Sequence, residues 1–150
     1  MPKFDTTRHV NHSAEHMFEL VADVEKYPEF LPLCDALKVR SRKERGTRTL
    51  LVADMTVGYK AIRETFTSQV LLSPEDVVID VKYLDGPFRY LNNRWGFEPV
   101  DAGGCNVLFH IDYEFKSRML GALMGTMFDR AFRTFAEAFE RRADSIYRQT

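Results

Sequence analysis

The sequence lacks most of the features that mark a specialised class. It has only two cysteines, Cys34 and Cys105. Two are too few for a disulfide framework, so a reducing, cytoplasmic compartment is expected. It has no excess of either charge: 21 basic and 22 acidic residues leave a formal net charge of −1. No global field draws in nucleic acid or an anionic surface, and DNA is not an expected partner. Long apolar runs are missing too. The longest uncharged apolar run, Met119 to Phe128, is half of the ~20 residues that cross a bilayer. The opening MPKFDTTRHV has neither the apolar core of a signal peptide nor an Arg/Ser-rich presequence. There is no internal repeat, low-complexity tract or linker. Residues 1–150 are expected to form one domain large enough to bury a core.

What is present begins at the C-terminal end. From Arg118 to about Tyr147 no proline intervenes, and apolar residues recur three and four apart. The stripe runs Leu120, Leu123, Met124, Met127, Phe128, Ala131, Phe132, Phe135, Ala138, Phe139, Ala143, Ile146. Its second half carries charges on the back and reads as an amphipathic helix. Its first half is apolar almost all round, with gaps at Gly121 and Gly125. Such a helix needs a surface to lie in.

The preceding residues supply one. Lys3 to Asn11 reads as a first strand, and Ser13 caps a helix from Ala14 to Val24. Tyr27 to Cys34, YPEFLPLC, is too rich in proline for a long helix and too apolar for a solvated loop. It reads as a helical turn plugging one end of the core. From Ala36 the period becomes two. Lys38, Arg40 and Arg42 are expected on one face of a strand. Apolar rows follow at Thr49–Val57, at Ile62, Glu64, Phe66, Ser68 and Val70, and at Val77–Tyr83. Turns fall at Glu44–Thr47, Gly58–Tyr59, Ser73–Asp76, Asp85–Pro87 and Asp101–Gly104. Phe88 to Phe97 shifts phase between Tyr90 and Leu91, which predicts a bulge. Cys105 to Phe115 alternates most cleanly. The fold class is α+β: a curved antiparallel sheet wrapped around a long C-terminal helix.

That order of elements resembles the START-like helix-grip fold. The segment Tyr27-Pro28-Glu29-Phe30-Leu31-Pro32-Leu33-Cys34 resembles the Tyr-Pro-x-Phe-Leu-Pro-x-Cys signature of the coenzyme Q-binding START-like family, also described as polyketide cyclase/dehydrase-like. Asn93-Arg94-Trp95-Gly96-Phe97 and the Phe-rich final helix fit it as well. Leu33 departs from the usual aromatic at its position. The resemblance implies an apolar cavity between sheet and helix that binds ubiquinone or a similar lipid with no further cofactor required; because no catalytic arrangement stands out in the sequence, a carrier or chaperone is expected rather than an enzyme. The resemblance also implies a rival role, because one bacterial branch is a toxin that binds the large ribosomal subunit and blocks subunit association. Fold alone does not choose between them.

Residues expected to bind the lipid are Tyr27, Phe30, Leu31, Met55, Val57, Phe88, Tyr90, Trp95, Met124, Met127 and Phe128. Methionine suits a flexible ligand, and Tyr27, Tyr90, Trp95 or Arg94 are candidates to reach a quinone carbonyl. The basic segment Lys38, Arg40, Arg42, Lys43, Arg45, Arg48 is a candidate contact for rRNA phosphate or for the headgroups of a membrane to which the protein is peripheral. It lacks the aromatics of a base-stacking surface. Glu64 is the one carboxylate positioned to act as an acid if the chain were a cyclase. His12-Ser13-Ala14-Glu15-His16 matches H-x-x-E-H, but a cap at Ser13 leaves His12 outside the helix, so no metal is expected. His9 and His110 read as exposed. Cys34 has no evident base and reads as a buried apolar residue.

Overall fold

A computed structural model describes residues 3–147. Seven strands form one antiparallel sheet: β1 Lys3–Val10, β2 Cys34–Arg45, β3 Arg48–Tyr59, β4 Ile62–Ser73, β5 Val78–Asp85, β6 Phe88–Pro99 and β7 Cys105–Phe115. Two helices, α1 Ala14–Ala22 and α2 Arg118–Ile146, complete the fold with a 3₁₀ turn at Val24–Glu29. The sheet order is β1-β7-β6-β5-β4-β3-β2. β2 to β7 is a meander, and β1 returns to pair with β7. The two edges are therefore β1 and β2. The connection between them, α1 plus the 3₁₀ turn, packs on the same side of the sheet as α2.

The inner face follows from period-two alternation. Leu51, Ala53 and Val57 of β3, Phe66, Ser68, Val70 and Leu72 of β4, and Cys105 to Tyr113 of β7 at every second position are buried. α2 covers them with Met124, Phe128, Ala131, Phe132, Ala136, Phe139 and Ala143. Serine caps start both helices: Ser13 Oγ accepts from His16 N at 3.0 Å, and Ser117 Oγ accepts from Leu120 N at 3.1 Å. Each satisfies an orphan donor of the first turn. The β6–β7 turn depends on Gly104, which has φ +74° and sits so close to Val10 O that a Cβ would meet it at 2.1 Å.

Several expectations are corrected. α1 ends at Ala22, where Asp23 leaves helical geometry with ψ 68°, and a separate 3₁₀ turn with Pro28 inside it follows from Val24 to Glu29. β3 runs through Gly58 and Tyr59, and the turn falls at Lys60, which has φ 56°. The β6 irregularity lies between Phe88 and Tyr90, slightly earlier than expected. A second irregularity, between Val39 and Ser41, resets the phase of β2. Arg42 consequently pairs with inward Leu51, while Lys38 pairs with Asp54, so Lys38, Arg40 and Arg42 do not share a face. On α2, Leu123 and Ile146 belong to the apolar stripe but are exposed.

Candidate functional site

The sheet and α2 enclose an apolar cavity of about 80 Å³. Its floor is the inner face of β3 to β7: Ala53, Met55, Phe66, Ser68, Val70, Ile79, Val81, Leu91, Asn93, Trp95, Phe109 and Ile111. Leu37 of β2 closes one side. α2 supplies the roof through Phe132, Phe135 and Phe139, and the 3₁₀ segment supplies Val24, Tyr27 and Leu31. A smaller pocket of about 20 Å³ shares Met55, Phe66, Phe132 and Phe135 with it and is bounded outward by Pro32, Leu33, Val57, Phe128 and Ala131. The second half of YPEFLPLC thus faces α2 across the mouth of the cavity. Leu33 holds φ 67°, an uncommon value for a leucine.

The YPEFLPLC segment is clamped onto α2. Phe139 is fully buried and meets three rings edge-on: Tyr27 at 5.3 Å, Phe30 at 5.1 Å and Trp95 at 5.1 Å. Arg142 stacks over Phe30 at 5.1 Å and donates to Glu29 Oε1 at 2.6 Å. The Tyr27 hydroxyl donates to Val21 O at 2.5 Å, and burial pushes its pKa well above the usual tyrosine value. Its proton is already committed, so it has none to offer a ligand.

The polar groups on the cavity wall are few. Asn93 donates from Nδ2 to His110 O at 2.8 Å. Ser68 is 6% exposed, and its Oγ has no hydrogen-bond partner among the described residues. A buried hydroxyl left unpaired costs about 1–3 kcal/mol. Ser68 is therefore the wall group with unspent hydrogen-bonding capacity. Its place in the inward row of β4 was readable from alternation, but nothing in the sequence showed that it would go unpaired.

The expected ligand residues do not all meet at one site. Tyr27, Leu31, Met55 and Trp95 stand on the cavity wall, and Val57 and Phe128 on the outer pocket. Phe30 is not on the wall but in the clamp. Phe88 is fully buried and lines neither pocket; it packs behind Phe66 and Phe128 in an aromatic cluster with Tyr83 and Phe115. Met124 is fully buried away from the cavity, and Met127 is half-buried outside it. Tyr90 lies beyond the β6 irregularity and faces outward, where burial and then Glu114 and Asp112 raise its pKa. Arg94 is also outward, bonded to Asp80 at 2.7 Å. Neither Tyr90 nor Arg94 reaches a ligand from there. Ser68, Asn93 and the three roof phenylalanines join the wall without having been expected there.

Other candidates also move. Glu64 is half-buried but absent from both pocket walls, and Arg63 pairs instead with Asp35. His12 is buried, with Nε2 2.6 Å from Asp144 Oδ1, so it ties α1 to the end of α2. His16 stacks on Tyr147 at 4.3 Å. His110 sits between Asp5 (2.5 Å) and Asp112 (3.4 Å) rather than standing alone. No cluster of metal-ligating residues occurs among the described residues. In the basic hairpin, Arg40 bonds Asp54 at 2.6 Å and Arg48 lies 3.9 Å from Asp76. Thr67 and then Arg40 hold the Asp54 carboxyl below its usual range.

Both thiols are buried, and burial pushes each up to about 11. An unfolded thiol titrates near ~8.5, so the folded state holds these protons more tightly. The contribution is complete below about pH 8.5 and is lost as pH rises through about 11. Thermal melts should therefore fall between these values. Thiol reagents at pH 7.5 should modify neither cysteine in the native protein and both in denaturant. Rapid native labelling would contradict the burial.

The fold is a START-like helix-grip around an apolar cavity. The chain belongs to the polyketide cyclase/dehydrase and lipid transport family, whose sequence pattern matches residues 10–140. It is 38% identical over 138 residues to the ribosome association toxin RatA of Vibrio cholerae, covering 92% of each chain. It is 31% identical over 148 residues to the mitochondrial coenzyme Q-binding protein COQ10 homolog B of Xenopus laevis, covering 97% of this chain and 59% of that one. A START superfamily protein from Mycobacterium smegmatis has the same fold, with a TM-score of 0.78 at 20% identity over 96% of this chain and 98% of that chain.

Proposed function

We propose that the chain binds an isoprenoid quinone of the ubiquinone type between sheet and α2, and acts as a carrier rather than an enzyme. The observation that carries this reading is the unpaired Ser68 hydroxyl on an otherwise apolar wall. A quinone carbonyl would accept its hydrogen bond, while the isoprenoid tail gains ~25 cal/mol for each Å² of apolar surface removed from water. The coenzyme Q-binding relative supports this choice of ligand. At about 80 Å³ the cavity is below the roughly 300–1,000 Å³ of ordinary ligand sites. Loading then requires the roof phenylalanines and the Tyr27–Leu33 segment to part. Among the described residues no carboxylate lines the wall, which favours carriage over acid catalysis by Glu64.

Ser68→Ala is expected to separate the two roles of the hydroxyl. Removing an unpaired buried group should raise the stability of the apo protein by about 1 kcal/mol, and losing the head-group bond should weaken ubiquinone binding about tenfold. Thermal melts and a quinone titration measure both. Unchanged affinity would remove Ser68 from the site.

The second reading is binding to the large ribosomal subunit. Two things favour it: the resemblance to the ribosome association toxin and the exposed Lys38, Arg42, Lys43 and Arg45 of the β2–β3 hairpin, the last three of which form no ion pair among the described residues. This reading expects co-sedimentation with ribosomal subunits that is lost at high salt.

A further inference from the structure

The structure has a second feature, at the opposite end of the sheet from the basic hairpin. β5 ends there, β6 begins, and β7 runs into α2, with Lys116 N donating to Pro87 O at 2.8 Å to tie the turns together. Large apolar side chains stand in solvent here. Met119 is 73% exposed and Leu123 56%, both on α2. On the sheet-facing side of the same two turns a surface groove of about 370 Å³ runs over Gly121 and Gly125 between Arg89, Lys116 and Arg118, and Arg118 stands between this groove and Met119 around the helix. Glu114 also lines the groove and pairs with Arg89 at 3.2 Å. Lys116 and Arg118 have no carboxylate partner among the described residues. The chain as a whole is slightly acidic, so this local excess of cations is a property of the patch.

We infer that this end, the first two turns of α2 with the adjoining strand ends, docks on the anionic phospholipid surface of a membrane. A bilayer accepts both parts of the patch in one contact: methionine and leucine enter the acyl boundary while lysine and arginine meet the phosphates. A nucleic-acid backbone would use the cations and leave Met119 and Leu123 in water. The helix also continues the patch inward. Met119, Leu123, Met127 and Ala131 are spaced four apart along one face, and Ala131 bounds the outer pocket. An apolar rail thus leads from the docked end to the mouth of the cavity. Only this last step rests on the lipid-carrier reading.

The test is flotation of the full chain with vesicles containing no quinone, so that its failure is separate from a failure of quinone binding. One set is phosphatidylcholine alone; the other has about a third phosphatidylglycerol. The wild type should float with the anionic vesicles and not with the neutral ones. M119E/L123E should lose at least about tenfold in binding, as should K116E/R118E. M119S/L123S, which adds no charge, should also weaken it. K43E/R45E on the distant hairpin should bind as the wild type does. All four positions at the docking end are exposed, so melting temperatures should stay close to the wild-type value. No flotation of the wild type would overturn the proposal. So would full binding by M119E/L123E, or binding lost only in the hairpin variant.

Discussion

Replacing Phe139 by alanine should cost the fold about 3–5 kcal/mol, the range for deleting a fully buried phenylalanine. Phe139 has no exposed surface and meets Tyr27, Phe30 and Trp95 edge-on at 5.1–5.3 Å. It is where α2, the YPEFLPLC segment and the sheet meet. Edge-to-face pairs add about 0.5–1.5 kcal/mol each beyond area burial. They also fix the plane of each ring, so a smaller residue loosens the whole clamp. In a chain of this length 1 kcal/mol shifts the melting temperature by about 2–4 °C, so a fall of roughly 6–20 °C is expected. Phe139→Leu should lose less than half as much. Urea or thermal unfolding measures it. A loss below about 1 kcal/mol would mean that the clamp does not hold the segment in place.

Val70→Phe should do the reverse: keep the fold and lose the ligand. Val70 lies in the middle of β4, 5% exposed, paired with Leu51 on one side and Val81 on the other. Its side chain borders the cavity, so a phenylalanine there grows into empty space before it presses on a neighbour. Overpacking typically costs about 1–3 kcal/mol, and the void offsets part of it. Stability should change by less than about 2 kcal/mol. Ubiquinone uptake should fall at least about a hundredfold, because the head group and the new ring compete for one volume. Uptake equal to the wild type in a folded variant would place the ligand elsewhere.

The framework of the fold was legible because its signals are local. Period-two rows gave the strands and their buried faces, and a three-and-four stripe without proline gave α2. The misplacements arise where local reading runs out. Irregularities after Phe88 and Val39 each reset the alternation, which turned Tyr90 outward and separated Arg42 from Lys38 and Arg40. The helix's share of the cavity was expected at Met124, Met127 and Phe128, of which Phe128 reaches the outer pocket. The roof of the main cavity belongs instead to Phe132, Phe135 and Phe139, about one to four turns after the two methionines. Which turn of a helix faces the hollow of a sheet depends on how the sheet curls, and spacing along one chain does not record that. Leu123 shows the same limit from outside. Its position in the stripe is core-like, yet it is exposed, because an apolar pattern marks a surface to be covered without saying what covers it. The unpaired state of Ser68 is a three-dimensional fact of the same kind.

The most direct test of the central claim is native mass spectrometry of the purified chain, before and after incubation with ubiquinone, followed by organic extraction of whatever it holds. The carrier account predicts one quinone per chain, retained by the wild type and absent from Val70→Phe. A clean apo mass with no uptake in the wild type would contradict it.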